Sequence, residues 1–355
     1  MQTLTKNRTS FPHRTFDYKP VLAWFCLLVL GWTTLLLYAG GFTTSIRAGM
    51  AFLDWPLSNG SINPDGWLTE SDKMAEHSHR LLATGTGILC IVLAIWLNLR
   101  ESRSWLRTLG WASLGMVITQ GLLGGARVLF DQQNIGGDDN RIAQTFAVLH
   151  GLTGQLTFCL LIAIAIASSR SWISRNAGLD GPVSGRIRMW GLLALGAVVL
   201  QLLFGAMMRH AHAGLAIPTF PLSSEGSLLP AAWDYRVGIH FAHRAWAVVV
   251  TVVLLVFLSL IWGSPRTRRA LGIPSALLVL LLSVQIYLGA LVIWTVRNSN
   301  AATIHMLNGA FVLAATFSLT FLCHRFQFGD TRTVGNSPKE DRASRTDLPA
   351  SSAAN

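Results

Sequence analysis

Charge is what this 355-residue chain has least of: Asp, Glu, Lys and Arg together make up 13% of it. Soluble domains carry about a quarter charged residues to keep their surfaces wet, so a water-bathed globule is excluded. Acidic residues are the scarcer sign, 17 against 28 Lys and Arg. Cysteine is scarce as well. Cys26, Cys90, Cys159 and Cys323 all fall inside apolar runs, so no exported disulfide is indicated and all four read as small buried hydrophobes. The first apolar run lacks a small-residue cleavage site at the right distance, so no cleavable signal peptide is expected.

Apolar residues are plentiful, at 51% of the chain with a mean hydropathy of +0.45. A membrane-spanning helix needs about 20 of them in a row. Eight runs qualify, near residues 21–40, 79–99, 108–126, 144–167, 189–208, 239–262, 271–295 and 303–323. The expected fold class is an all-α polytopic membrane protein. The net charge of +11 is topological and marks no nucleic-acid partner. With both ends placed inside, the inner segments carry 19 Lys and Arg and the outer loops 7, the bias of the positive-inside rule. The expected location is the cell's inner (plasma) membrane, with both termini cytoplasmic and membrane lipid as the surroundings.

The second half of the chain repeats the first. Residues 212–223 match residues 47–58 at six of twelve positions without a gap. Glu76-His-Ser-His79-Arg80 opens the second run, and His240-Phe-Ala-His243-Arg244 opens the sixth. His150-Gly-Leu-Thr-Gly154 in the fourth run is echoed by His305-Met-Leu-Asn-Gly309 in the eighth. A glutamine stands four residues before a glycine at Gln120/Gly124, Gln201/Gly205 and Gln285/Gly289, which reads as helix packing through small residues. The expected architecture is two pseudo-symmetric four-helix bundles, related by an axis along the membrane normal. The expected domains are an N-terminal cytoplasmic segment over 1–20, a bundle over 21–167, a cytoplasmic linker over 168–188, a second bundle over 189–323 and a disordered cytoplasmic tail over 324–355.

His79, His150, His243 and His305 open helices that all run from outside to inside, so they share one depth near the outer face. Each half presents one histidine from each of two helices, as bis-imidazole ligation of a haem requires. Zinc is the competing metal, although no compact three- or four-ligand set is present. Gly154 and Gly309, one turn after their histidines, would let a flat macrocycle approach the backbone. Arg80 and Arg244 are placed either to neutralise propionates or to snorkel to the headgroups. The halves differ at one point: Glu76 precedes His79 by a turn, whereas His240 precedes His243. A carboxylate at a haem edge can accept protons or steady a developing cation, so the N-terminal half reads as catalytic and the other as an electron-transfer or structural site. His77, His210 and His212 read as loop or interfacial residues.

These residues resemble the haem A synthase family of cytochrome oxidase assembly. The likeness covers residues 21–323 and rests on Glu76-x-x-His79-Arg80, His150, His243-Arg244, His305 and the Asp54-Trp55-Pro56-Leu57 segment. The resemblance implies oxidation of the C8 methyl of haem O to a formyl group by successive hydroxylations. It implies Glu76, His79 and His150 at the substrate-haem site, and a haem b cofactor held by His243 and His305. It further implies an electron donor that the sequence does not name, and the haem O-producing farnesyltransferase as a partner; a homo-oligomer is compatible with it. Two features depart from the pattern. The outer-loop cysteine pair of some bacterial members is absent, so thiol-based electron delivery is not expected, and His240 is an added candidate ligand. The alternatives are a dihaem b-type, quinol-linked electron carrier and a haem-handling chaperone.

Overall fold

The computed structural model describes residues 17–132, 140–173, 179, 182–224 and 226–325. The segments expected to be cytoplasmic tails fall almost wholly outside these residues, as do Asp138 and Asp139 of the second outer loop.

Eight long helices cross the apolar region: α1 (Pro20–Ser45), α2 (Ser71–Arg100), α3 (Ser104–Gln132), α4 (Arg141–Ser168), α6 (Gly185–His210), α7 (Tyr235–Gly263), α8 (Pro265–Trp294) and α9 (Ser299–Cys323). A four-residue helix, α5 (Arg170–Ile173), lies between α4 and α6. This is a multi-pass, all-helical membrane protein, as expected.

Each long helix outruns its apolar stretch, because polar residues start it outside the hydrocarbon. Proline begins α1 and α8, where its missing N–H costs nothing. Asn140, Ser184, Asp234 and Asn298 accept hydrogen bonds from first-turn N–H groups of α4, α6, α7 and α9. At 1.5 Å per residue, helices of 25–30 residues reach about 38–45 Å, beyond the ~30 Å of hydrocarbon. The extra turns matter for function. They put Glu76 and Arg80 inside the second and third turns of α2, where a hydropathy reading placed them at a helix entrance.

In the first half α1 packs on α2, α2 on α3, α3 on α4 and α4 on α1, which closes a ring of four. The order α6, α7, α8 and α9 closes a second ring in the same way. The rings meet where α4 packs against α6 and α9 and α1 packs against α9. α4 and α9 are accordingly the most enclosed, with 56% of their apolar windows buried against 17–28% for the other six spans. Exposed Leu27, Leu35, Ile88, Val248, Val252 and Leu280 form a surface suited to lipid.

Apolar packing fills the end opposite the histidines. Leu22, Cys26, Cys90, Leu97, Leu161 and Ile164 belong to one cluster, and Val198, Leu254, Phe257, Ile261 and Leu313 to the other. The four cysteines are free and buried, as read from the sequence. The histidines lie at the other end, while this end keeps a buried ion pair, Glu101–Arg103 at 2.9 Å.

Candidate functional site

The four histidines sit at similar depths. His79 follows the first residue of α2 by eight positions, His150 that of α4 by nine, His243 that of α7 by eight and His305 that of α9 by six. His79 and His150 meet in the first ring, centroids 6.3 Å apart and planes at 89°. In the second ring His243 and His305 are close enough for their charges to interact.

Each imidazole is seated on a glycine of a neighbouring helix. A Cβ at Gly40 would lie 2.7 Å from His79 Cε1, at Gly124 3.3 Å from His150 Cε1, at Gly205 3.0 Å from His243 Cε1, and at Gly289 3.2 Å from His305 Cε1. Any side chain there would push the ring away. Glycine is thus required by close approach, and the repeated Gln-x-x-x-Gly spacing makes seats for histidines as well as helix contacts.

The glutamines hold what the glycines seat. His150 Nδ1 donates to the Gln120 carbonyl at 3.1 Å. With the Gln120 amide oxygen toward Gly154 N–H (3.1 Å), its Nε2 lies 3.0 Å from the His150 carbonyl. Gln201 Nε2 likewise donates to the His243 carbonyl at 3.0 Å and lies 3.2 Å from that ring's Nδ1. Gln285 Nε2 is 3.4 Å from His305 Nε2, and Asn308 steadies its Oε1 at 2.8 Å. These contacts correct the expectation for Gly154 and Gly309. Cβ atoms there would meet the amides of Gln120 and Gln285, each at 3.2 Å, so the missing side chains accommodate glutamines rather than a macrocycle. The first seat departs from the rule: Leu36 stands four residues before Gly40, and His79 Nδ1 is buried without a partner, as is His305 Nδ1.

Glu76, 4% exposed, is the centre of a clasp. Its Oε2 accepts from Phe52 N–H at 3.0 Å and its Oε1 from Arg80 Nη2 at 2.6 Å. Arg80 also reaches the carbonyls of Phe52, Asp54 and Leu57, and its guanidinium lies 5.5 Å from the Phe52 ring centre. Helix α2 thereby ties down the outer loop that carries Asp54-Trp55-Pro56-Leu57. Within that loop Asp54 accepts from Asn59 N–H at 2.6 Å and Gly60 N–H at 2.7 Å. Partial burial alone would raise the Asp54 carboxyl; the Gly60 and Asn59 N–H groups outweigh it and hold it below the usual carboxylate range. His77, read as a bystander, is buried against Trp67 and Phe52 and contacts Ser58 Oγ at 3.1 Å. It helps hold the same loop.

The second half builds the same clasp from different chemistry. His240 Nδ1 lies 3.2 Å from Ile217 N and its Nε2 3.1 Å from Arg244 Nε. Arg244 Nη2 donates to the Ile217 carbonyl at 2.9 Å, and its guanidinium lies 5.6 Å from the Phe220 ring. His240 therefore stands where Glu76 stands and faces away from the His243–His305 pair toward the outer loop. Arg47 and His212 take matching left-handed backbones, φ 64° and 53°, and Ser58–Ser61 and Ser224–Ser227 form matching isolated bridges. The loop repeat seen in the sequence is a repeat in space.

Two arginines escaped the sequence reading. The Arg127 charge is met first by Asp131 and then by Glu76, and it also acts on His79, His150 and His210; its guanidinium packs on Gly49. Arg209 donates to the Gly41 carbonyl and to Ser45 Oγ across the junction between the rings, and its charge acts on His305. Ser45 Oγ in turn accepts from Thr303 Oγ1 at 2.8 Å. Arg127 ends the apolar run of α3, which continues to Gln132, and an ionisable residue there is a signal in itself. Nothing in its spacing, however, ties it to two histidines on other helices.

Residues 67–317 match the COX15-CtaA family, described as cytochrome oxidase assembly proteins. The chain belongs to this family. A haem A synthase of Geobacillus kaustophilus is 28% identical over 84% of this chain and 89% of its own length. One from Symbiobacterium thermophilum is 30% identical over 71% of this chain and 79% of its own length. One from Bacillus mycoides is 23% identical over 92% and 98%. The family match takes in Glu76, His79, Arg80, His150, His240, His243, Arg244 and His305, and stops short of the Asp54-Trp55-Pro56-Leu57 loop and Gly40.

Proposed function

We propose that this chain is a haem A synthase, an oxidoreductase that converts the C8 methyl of haem O to the formyl group of haem A. The observation that carries this reading is the meeting of His79 and His150 at 6.3 Å. Two imidazole donors from two helices of one ring fit a haem iron better than the three- or four-ligand set of a zinc site. The names of the relatives supply the reaction.

In this reading His79 and His150 hold the iron of haem O, with Gly40, Gly124 and Gln120 fixing their rings. The methyl passes through hydroxymethyl and geminal diol stages, each a two-electron oxidation in which an oxidant from outside the chain accounts for the oxygen atom added, and loss of water from the diol leaves the aldehyde. Glu76, one turn before His79, takes up protons or steadies positive charge as the methyl is oxidised. Arg127 supplies a cation to the same pocket. His243 and His305 hold haem b, which when bound supplies one-electron transfer; Gln201, Gln285, Gly205 and Gly289 orient these ligands. The electron donor is a separate component. The protein lies in the plasma membrane with both termini cytoplasmic and both sites toward the outer face. Its two rings are related by an axis along the membrane normal.

One observation favours the runner-up, a dihaem electron carrier. Glu76 and His240 stand at matched positions between a loop N–H and an arginine, so a clasp alone accounts for both. The test is acid extraction of haem from cells that co-express the protein with a haem O source, read by chromatography and mass. Haem A is expected. Recovery of only haem B and haem O, from cells whose protein binds haem, rules the synthase out.

A further inference from the structure

We propose that the two clasps decide which half keeps its haem: Arg244 carries an open carboxylate-binding position for a propionate of the C-terminal haem, whereas Arg80 is already filled. The proposal rests on the reading above, in which each histidine pair holds a haem.

The two arginines stand at matched positions, each directly after a histidine ligand and each tied to an outer loop, yet their acceptors differ. Arg80 Nη1 faces the carbonyls of Asp54 and Leu57, and Nη2 faces the Phe52 carbonyl and Glu76. Both terminal nitrogens are engaged, and the Glu76 carboxylate offsets the charge. Arg244 Nη2 has the Ile217 carbonyl and Nε has His240, but Nη1 is buried with no partner. No ion pair to Arg244 occurs among the described residues.

His240 cannot substitute for the missing carboxylate. Ile217 N–H and Arg244 Nε–H point at its two ring nitrogens, whereas a neutral imidazole has one lone pair to offer and a protonated one has none. The C-terminal clasp is therefore short of one acceptor and one negative charge. A half-buried guanidinium left in that condition is costly, and a carboxylate supplies both deficits in one contact. Haem brings two carboxylates. On this account the glutamate-to-histidine difference converts a self-satisfied clasp into a ligand-binding one. The N-terminal half, which must release a product, lacks this hold, and the C-terminal half, which keeps a cofactor, has it.

The experiment follows haem transfer from the purified, loaded protein to excess apomyoglobin, resolved by the spectra of the two sites. His240→Glu, which would fill the Arg244 fork from within, is expected to speed loss of the C-terminal haem by about tenfold or more, and Arg244→Gln to do the same. Arg80→Gln should leave that rate unchanged, and Glu76→His should slow release from the N-terminal half. Haem dimethyl ester, whose propionates are blocked, should leave wild type and Arg244→Gln at one common fast rate. Equal rates for haem from wild type and His240→Glu overturn the proposal. So does an Arg244→Gln effect that persists with the ester, which would make a lipid phosphate the anion. A spectrum unchanged in His243→Ala would overturn the underlying reading instead, since the haem would then not be held there.

Discussion

The two halves use the same scaffold on different terms. In each, an outward-facing residue one turn before a histidine receives a loop N–H and an arginine, and in each the histidine ring rests on a glycine of the preceding long helix. The first half makes the receiver a carboxylate and leaves its histidine without a glutamine neighbour, with Leu36 in that position. The second makes the receiver an imidazole and surrounds its histidines with Gln201 and Gln285. A repeat thus preserves geometry while the chemistry is reassigned residue by residue. The first half has an internally balanced clasp and one ligand, His79, with no glutamine beside it; the second has a positively unbalanced clasp and a glutamine beside each ligand.

The largest effect should come from removing ligands in one half at a time. His243→Ala or His305→Ala is expected to abolish the b-type optical spectrum, while His79→Ala and His150→Ala abolish haem A formation and leave that spectrum. The opposite pattern would exchange the roles of the halves. Next, Glu76→Ala should lower haem A yield by about 10²–10⁴-fold, the range for a lost acid–base group, with the haem spectrum largely retained. Full activity in that variant would reduce Glu76 to a loop clasp like His240.

The seats should rank by distance. Gly40→Ala puts a Cβ 2.7 Å from His79, against 3.3 Å for Gly124→Ala and His150. Overpacking of this kind costs about 1–3 kcal/mol, so Gly40→Ala is expected to weaken haem O binding about tenfold and Gly124→Ala distinctly less. Equal effects in a binding titration would show that the seats are not what holds the rings. Gln201→Leu makes the second half imitate Leu36. Loss of such a supporting contact typically costs about tenfold in metal affinity, and a shifted reduction potential with haem still bound is the readout; an unmoved potential assigns Gln201 to packing alone.

The smallest effect belongs to Asp54. Its carboxyl titrates below the usual range because Gly60 and Asn59 N–H groups bind the charged form. A folded value below the unfolded one adds stability that is complete above the unfolded value and lost as pH falls through the folded one. Relative to the intrinsic rate at each pH, amide protection at Asn59 and Gly60 should fall on acidification while the α1 core stays protected, and Asp54→Asn should remove that pH dependence. Protection factors that stay constant across the acid range would contradict it.

Much of this was written in one dimension. Eight spans follow from hydropathy, because a helix in lipid must satisfy its own backbone and so announces itself by composition. The four histidines and Glu76 were legible because polar groups stand out in apolar runs and the duplication printed them twice. What the sequence could not say is what faces what across helices, since that depends on rotation and approach with no fixed period. The glycines that seat histidines, the glutamines that fill the space beside Gly154 and Gly309, and the reach of Arg127 to two rings on other helices all belong to the packed state. So does the sharpest difference between the halves. The sequence by itself determined that glutamate faces histidine across the repeat; only the tertiary structure decided that this difference leaves Arg80 satisfied and Arg244 open, because a hydrogen-bond deficit exists only once every neighbour is in place.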